Sequence, residues 1–126
     1  MTVSKARAKR IGQRIQEELS VLLLREASDP RLQGVNVTDV EVDRELAYAT
    51  IFVSAVEGME RKEEILTGLR SARGYLRSEL AGRIELHAFP QLRFRWDETP
   101  ARGARIDELL AKLNDDEPPA NPEESD

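Results

Sequence analysis

The sequence predicts an α+β fold: one small domain in which a three-stranded sheet is covered on one face by helices. Two observations carry this reading. Apolar residues recur at helical spacing in three stretches, while three others are rich in β-branched and aromatic residues or alternate strictly. The second observation is their order, which is helix, strand, strand, helix, strand, helix. The helix between the second and third strands makes a link long enough for a crossover, right-handed if those strands run parallel. The 126 residues suffice for one core, and neither an internal repeat nor a second domain is evident.

The first helix, about Ser4 to Ala27, repeats Ile11, Ile15, Leu19, Leu22 and Leu23 along one face. Asp29-Pro30-Arg31 ends it, because proline disfavours helical geometry in the residue before it. Val35 and Val37, then Val40 and Val42, mark a strand whose change of parity signals a bulge or burial on both sides. Asp43-Arg44-Glu45 makes a turn into a second strand, Leu46 to Ala55, which completes a hairpin. A helix from about Glu60 to Ala81 follows, with Ile65, Leu69, Ala72, Leu76 and Leu80 on its apolar face and Gly82 as its stop. The third strand, about Ile84 to Trp96, contains Pro90 as a break or edge signal. Leu92, Phe94 and Trp96 point one way, and Arg93 and Arg95 the other. Thr99-Pro100 opens a last helix through Ile106, Leu109, Leu110 and Leu113, so the domain spans residues 1–113.

Charge is unevenly spread. The chain carries a net charge of −5, but six of its 24 acids lie in residues 114–126, which leaves 19 bases against 18 acids in the domain. That final segment holds three prolines and nothing apolar larger than alanine, and is expected to be a disordered acidic tail. Residues 1–16 contain Lys5, Arg7, Lys9, Arg10 and Arg14 with no acid, and residues 70–105 contain eight arginines. Such local basic patches matter more for phosphate binding than the overall charge does. With no cysteine there is neither disulfide nor thiolate metal site, and no cofactor is implied. No apolar run exceeds four residues, so neither a membrane span nor a signal peptide is expected, and the cytoplasm is the expected compartment.

The most informative stretch is Leu69 to Arg77. There Gly74 interrupts an amphipathic helix at a cost of about 1 kcal/mol relative to alanine. Close approach of a partner backbone, or a kink that turns amides toward an anion, would justify it. Arg70, Arg73 and Arg77 share another face, and none has an acid three or four residues away. A solvated helix face is the plain alternative; the neighbouring glycine favours phosphate contact. For the five N-terminal bases the plain alternative is a frayed terminus. Phosphate contact is favoured there too, since like charges repel unless an anion is present. Tyr75 is read as packing rather than as a base-stacking group.

Enzymatic readings find little support. His87 stands alone, so no histidine-based metal or nucleophile system can be assembled around it. Glu17-Glu18 and Glu63-Glu64 are adjacent, which on a helix directs each pair about 100° apart. No phosphate-loop motif occurs. An RNA-binding protein or, less favoured, a protein-interaction module remains.

Six segments in order resemble the ribosome-binding factor A family: Arg10-Ile11 through Leu19, Asp29 to Leu32, Val37 to Val42, Ala49 to Ser54, Ala72 to Arg77, and Pro90 to Asp97. The resemblance implies a KH-like fold of the second type, with Ala72-Arg73-Gly74 as an Ala-x-Gly kink in place of the usual Gly-x-x-Gly. It implies a non-enzymatic factor for assembly of the small (30S) ribosomal subunit. Such a factor binds free immature subunits, not whole ribosomes, assists late processing of the 5′ region of 16S rRNA, and is linked to growth in the cold. The expected RNA-binding residues are Lys5, Arg7, Lys9, Arg10, Arg14, Arg70, Ala72, Arg73, Gly74 and Arg77, on a monomer. The hairpin turn at Asp43 and the acidic tail depart from the family's usual pattern. The alternative is a general KH-type single-stranded RNA-binding regulator.

Overall fold

The computed structural model describes residues 2–26 and 28–98. Met1–Trp96 form one compact unit, and residues 97–126 a second, of which only Asp97 and Glu98 are described. The expected last helix and acidic tail therefore lie outside the described residues.

Helix α1, Lys5–Arg25, starts where the Ser4 hydroxyl accepts the Arg7 N–H at 3.0 Å. Its buried stripe is Ala8, Ile11, Gly12, Ile15, Leu19, Leu22 and Leu23. After α1 the Asp29 carboxylate accepts the Arg31 N–H at 3.0 Å and caps a single 3-10 turn, Pro30–Leu32. Strand β1, Val35–Val42, then pairs antiparallel with β2, Tyr48–Ala55. Val37 lies opposite Val53 and Asp39 opposite Phe52, so Thr38 is an extra residue. This bulge accounts for the change of parity: Val35 and Val37 before it, and Val40 and Val42 after it, all pack with the core.

The hairpin turn is held by Asp43, whose carboxylate accepts the amides of Ala47 at 2.8 Å and Tyr48 at 2.9 Å. Leu46 adopts a left-handed φ of 58° there and still packs against the core. Turn geometry thus occupies Leu46 and Ala47, and β2 begins two residues later than expected.

Helices α2, Lys62–Ser71, and α3, Arg73–Arg83, replace the single long helix. The break falls at Ala72, with φ −91° and ψ 3°, and Gly74 is helical within the first turn of α3. Hydrogen bonds continue through the break, from Ala72 N–H to the Gly68 carbonyl and from Leu76 N–H to the Ala72 carbonyl. A sharp kink centred on glycine is therefore not what the structure shows. Nor is Gly82 the stop, since α3 runs through it to Arg83. Strand β3, Gln91–Trp96, is shorter than expected, because Ile84 to Pro90 lie outside the sheet.

The strand order is β1-β2-β3, with β3 parallel to β2, the arrangement that the length of the link had left open. Ala49, Ile51 and Val53 join Leu92, Phe94 and Trp96 on the inner face, packed with Ile15, Leu19, Ile65, Leu69, Leu76 and Leu80 in one core. The other face carries Tyr48, Thr50, Phe52, Arg93 and Arg95. Tyr48, Arg93 and Arg95 are exposed.

Two glycines are fixed by packing. A Cβ on Gly12 would lie 2.8 Å from the Val40 carbonyl oxygen, and one on Gly68 would lie 2.9 Å from the Cβ of Arg31. Around Gly74 there is open space. Gly12→Ala should therefore lower the unfolding free energy by about 1–3 kcal/mol through overpacking. Gly74→Ala should raise it by about 0.5–1 kcal/mol through helix propensity. Urea unfolding followed by circular dichroism checks both signs.

Candidate nucleic-acid interface

The structure sorts the arginines into those engaged within the fold and those that are not. Arg77 is engaged: its Nε donates to the Pro90 carbonyl at 3.0 Å and its Nη2 to the Phe89 carbonyl at 2.5 Å. It ties α3 to the segment entering β3, satisfying carbonyls that precede the sheet. Arg14 is engaged too. Its guanidinium donates to the Glu18 carboxylate at 2.5 Å and to the Arg83 carbonyl at 3.4 Å, while Arg83 pairs with Glu18 and Glu79. Hydrogen bonding from Arg14, with a further contribution from Arg83, holds the Glu18 carboxyl below its ordinary range. The acid-free count over residues 1–16 missed this partner because Glu18 lies one helical turn further on.

Arg70 and Arg73 are exposed, and neither side chain makes an ion pair or hydrogen bond among the described residues. They flank Ala72, the half-buried residue at the helix break, and no side chain caps the start of α3. Arg73 also borders an open groove of about 590 Å³ against β3, together with Tyr48, Gln91, Leu92, Arg93, Phe94 and Arg95. Among the described residues no carboxylate lines this groove. Arg93 and Arg95 stood in the sequence as the polar side of a strand; the topology makes them part of a cationic site, because β3 is the sheet edge beside Arg73.

The N-terminal bases occupy a different place. Lys5 and Lys9 line a cavity of about 400 Å³ with Asp39, Glu41, Asp43 and Arg44 at the β1 edge, the opposite side of the sheet from β3. Lys5, Arg7, Lys9 and Arg10 are exposed, but carboxylates stand near the first and third. The expected residues are thus not one patch.

Tyr75 is half exposed, and its hydroxyl donates to Glu26 at 3.2 Å, whose negative charge raises the phenol above its ordinary value. The expected packing is not seen, since Tyr75 is not among the side chains packed with the core. Among the described residues no cluster of three or more potential ligands could hold a metal ion, and no helix is long and apolar enough to cross a membrane.

The helix, hairpin, broken helix and parallel edge strand, with unengaged arginines at the break, are consistent with a KH-like binding domain. The chain belongs to the ribosome-binding factor A family: the family's model matches residues 7–110. Ribosome-binding factor A of Halothermothrix orenii is 38% identical over 115 residues, which cover 91% of this chain and 94% of that protein. In fold the chain resembles the crystal structure of ribosome-binding factor A from Thermus thermophilus. There the TM-score is 0.66 and the identity 22%, over 73% of this chain and 97% of that one. It also resembles a homology model of the Thermus thermophilus factor fitted into a cryo-EM map of a complex with the 30S subunit. That match has a TM-score of 0.51 and 27% identity, over 69% of this chain and 97% of that one.

Exposed and engaged arginines predict different stabilities. Arg77→Ala should lower the unfolding free energy by about 1–3 kcal/mol, since two carbonyls lose a charged donor. Arg73→Ala should stay within about 0.5 kcal/mol of the parent. Parallel urea titrations distinguish the two.

Proposed function

We propose that this protein is an assembly factor for the small ribosomal subunit that binds free immature 30S particles through 16S rRNA and assists late processing near the RNA's 5′ end. The observation that carries this reading is the groove at the β3 edge that Arg73 lines together with Arg93 and Arg95, with no carboxylate among its described lining residues. A polyanion is the natural occupant of such a groove, because charge left unpaired by the protein is available to phosphates. The Thermus relative, fitted into a map of its 30S complex, supports the small subunit as the particle concerned.

In this reading Arg70 and Arg73 contact phosphate at the helix break, and Ala72 and Gly74 leave room for the RNA backbone to come close. Lys5, Arg7, Lys9 and Arg10 form a second, weaker contact at the far edge of the sheet. Arg77 and Arg14 serve by positioning α3 and α1. The protein acts as a cytoplasmic monomer, without cofactor or catalysis, and its role in assembly is felt most in the cold.

Co-sedimentation with separated small subunits, large subunits and naked ribosomal RNA tests the proposal. Selective binding to small subunits is expected, and equal binding to any RNA would instead mark a general single-stranded RNA regulator. Arg73→Glu should weaken small-subunit binding about tenfold or more. It should also reduce the slope of log affinity against log salt by about one, the loss of roughly one phosphate contact. Binding and slope unchanged in the folded variant would remove the groove from the interface.

A further inference from the structure

The open face of the sheet holds a pair that phosphate contact at the helix break does not use. Arg93 places its guanidinium carbon 3.5 Å from the centre of the Tyr48 ring. The two residues are diagonal neighbours across parallel strands, since Tyr48 pairs with Gln91 and Thr50 with Arg93. Tyr48 is 42% exposed, on the face away from the core. Its hydroxyl makes no hydrogen bond among the described residues, so the ring is held by Arg93 and not by a polar anchor.

Both residues line the groove of Arg73, and both line a neighbouring cavity of about 410 Å³ together with Thr50, Val42, Glu41 and Asp43. The path from the helix break over the β3 edge therefore arrives on a cation–aromatic pair. We infer that this pair is a stacking platform for an unpaired RNA base, whose strand crosses from Arg73 around the β3 edge onto the open sheet face.

The chemistry favours RNA over a protein ligand. A guanidinium resting on an aromatic ring offers its other plane to a second flat π system, which a nucleobase supplies. The flanking Arg73 and Arg95 supply the positive charge that a nucleotide's phosphate needs, whereas an acidic peptide would bring carboxylates but no flat base. Thr50 lines the second cavity beside the pair and offers a hydroxyl to a base edge. This inference rests on the RNA-binding reading above and adds the place where a base, not just the backbone, is held.

The full chain and its variants Tyr48→Ala, Tyr48→Phe and Arg73→Glu can be titrated by fluorescence anisotropy. The two probes are a short labelled oligoadenylate and an abasic ribose-phosphate strand of equal length. Trp96, the chain's one tryptophan and buried in the core, reports through its emission whether each variant is folded. Tyr48→Ala should weaken oligoadenylate about five- to hundredfold and leave the abasic strand unchanged, while Tyr48→Phe keeps the parent affinity. Arg73→Glu should weaken both probes.

If Tyr48→Ala binds both probes as the parent does while Arg73→Glu still weakens both, the platform is overturned and RNA binding stands. Equal weakening of both probes by Tyr48→Ala overturns it as well, since no base is then involved. A parent protein that sediments with small subunits but ignores oligoadenylate also overturns the platform alone. Loss of binding to both oligomers and subunits overturns the RNA-binding reading itself.

Discussion

The close seating of α1 on β1 is the constraint on which the rest of the domain depends. Gly12 brings the helix so near the strand that the Val40 carbonyl would touch any Cβ placed there. That approach works only because Thr38 is bulged out, which returns Val40 and Val42 to the side that α1 covers. Without the extra residue, the period of two would send those valines to the open face and remove part of the floor under Ile11 and Ile15. Gln16 also binds the Val37 carbonyl at 3.2 Å, so the bulge and the helix hold each other in register.

From this seating follows the division of the sheet into two unlike faces. The covered face takes every large apolar side chain of β3, and β3's alternate residues are left to Gln91, Arg93 and Arg95. Because β3 is parallel to β2, the chain must cross over through α2 and α3 before it enters the edge strand, and this brings the helix break beside that strand. The cationic groove is thus a product of topology. Neither Arg73 nor Arg95 is notable until the crossover sets them side by side.

Much of the fold was legible in the sequence, for reasons that can be traced to particular residues. The valine parity of β1 offered a bulge as one of its two readings, the apolar spacing put the start of α1 within one residue of where it lies, and the alternation from Leu92 to Trp96 announced which side of β3 is buried. Each is a local pattern with a fixed period. What stayed hidden depends on partners far along the chain. Periodicity could assign Arg77 to an outer helix face, but not reveal that its guanidinium reaches back to the carbonyls of Phe89 and Pro90. Arg61 escaped notice altogether, although it donates to the carbonyls of Pro30, Arg31 and Gln33 and pairs with Glu57 and Glu64. A run of charges shows where cations are dense, and only the fold shows which of them are engaged.

That distinction decides how a chain of net negative charge can present a site for a polyanion. Arg14, Arg31, Arg61 and Arg83 are paired with nearby carboxylates, and Arg77 with carbonyls, so these five commit their donors to the fold. Screening at physiological salt limits the reach of distant charges to roughly 8 Å, so the average over the molecule matters little at any one groove. What a phosphate meets at the β3 edge is Arg73 and Arg95, without an ion-pair partner among the described residues, and Arg93 stacked on Tyr48. The excess acids lie in residues 114–126, and of the acids in the described residues some are paired with the structural arginines while others stand on the β1 side, near Lys5 and Lys9. The domain is therefore polarised across its sheet, acidic and mixed at one edge and cationic at the other, and it is the cationic edge that lies against the helix break.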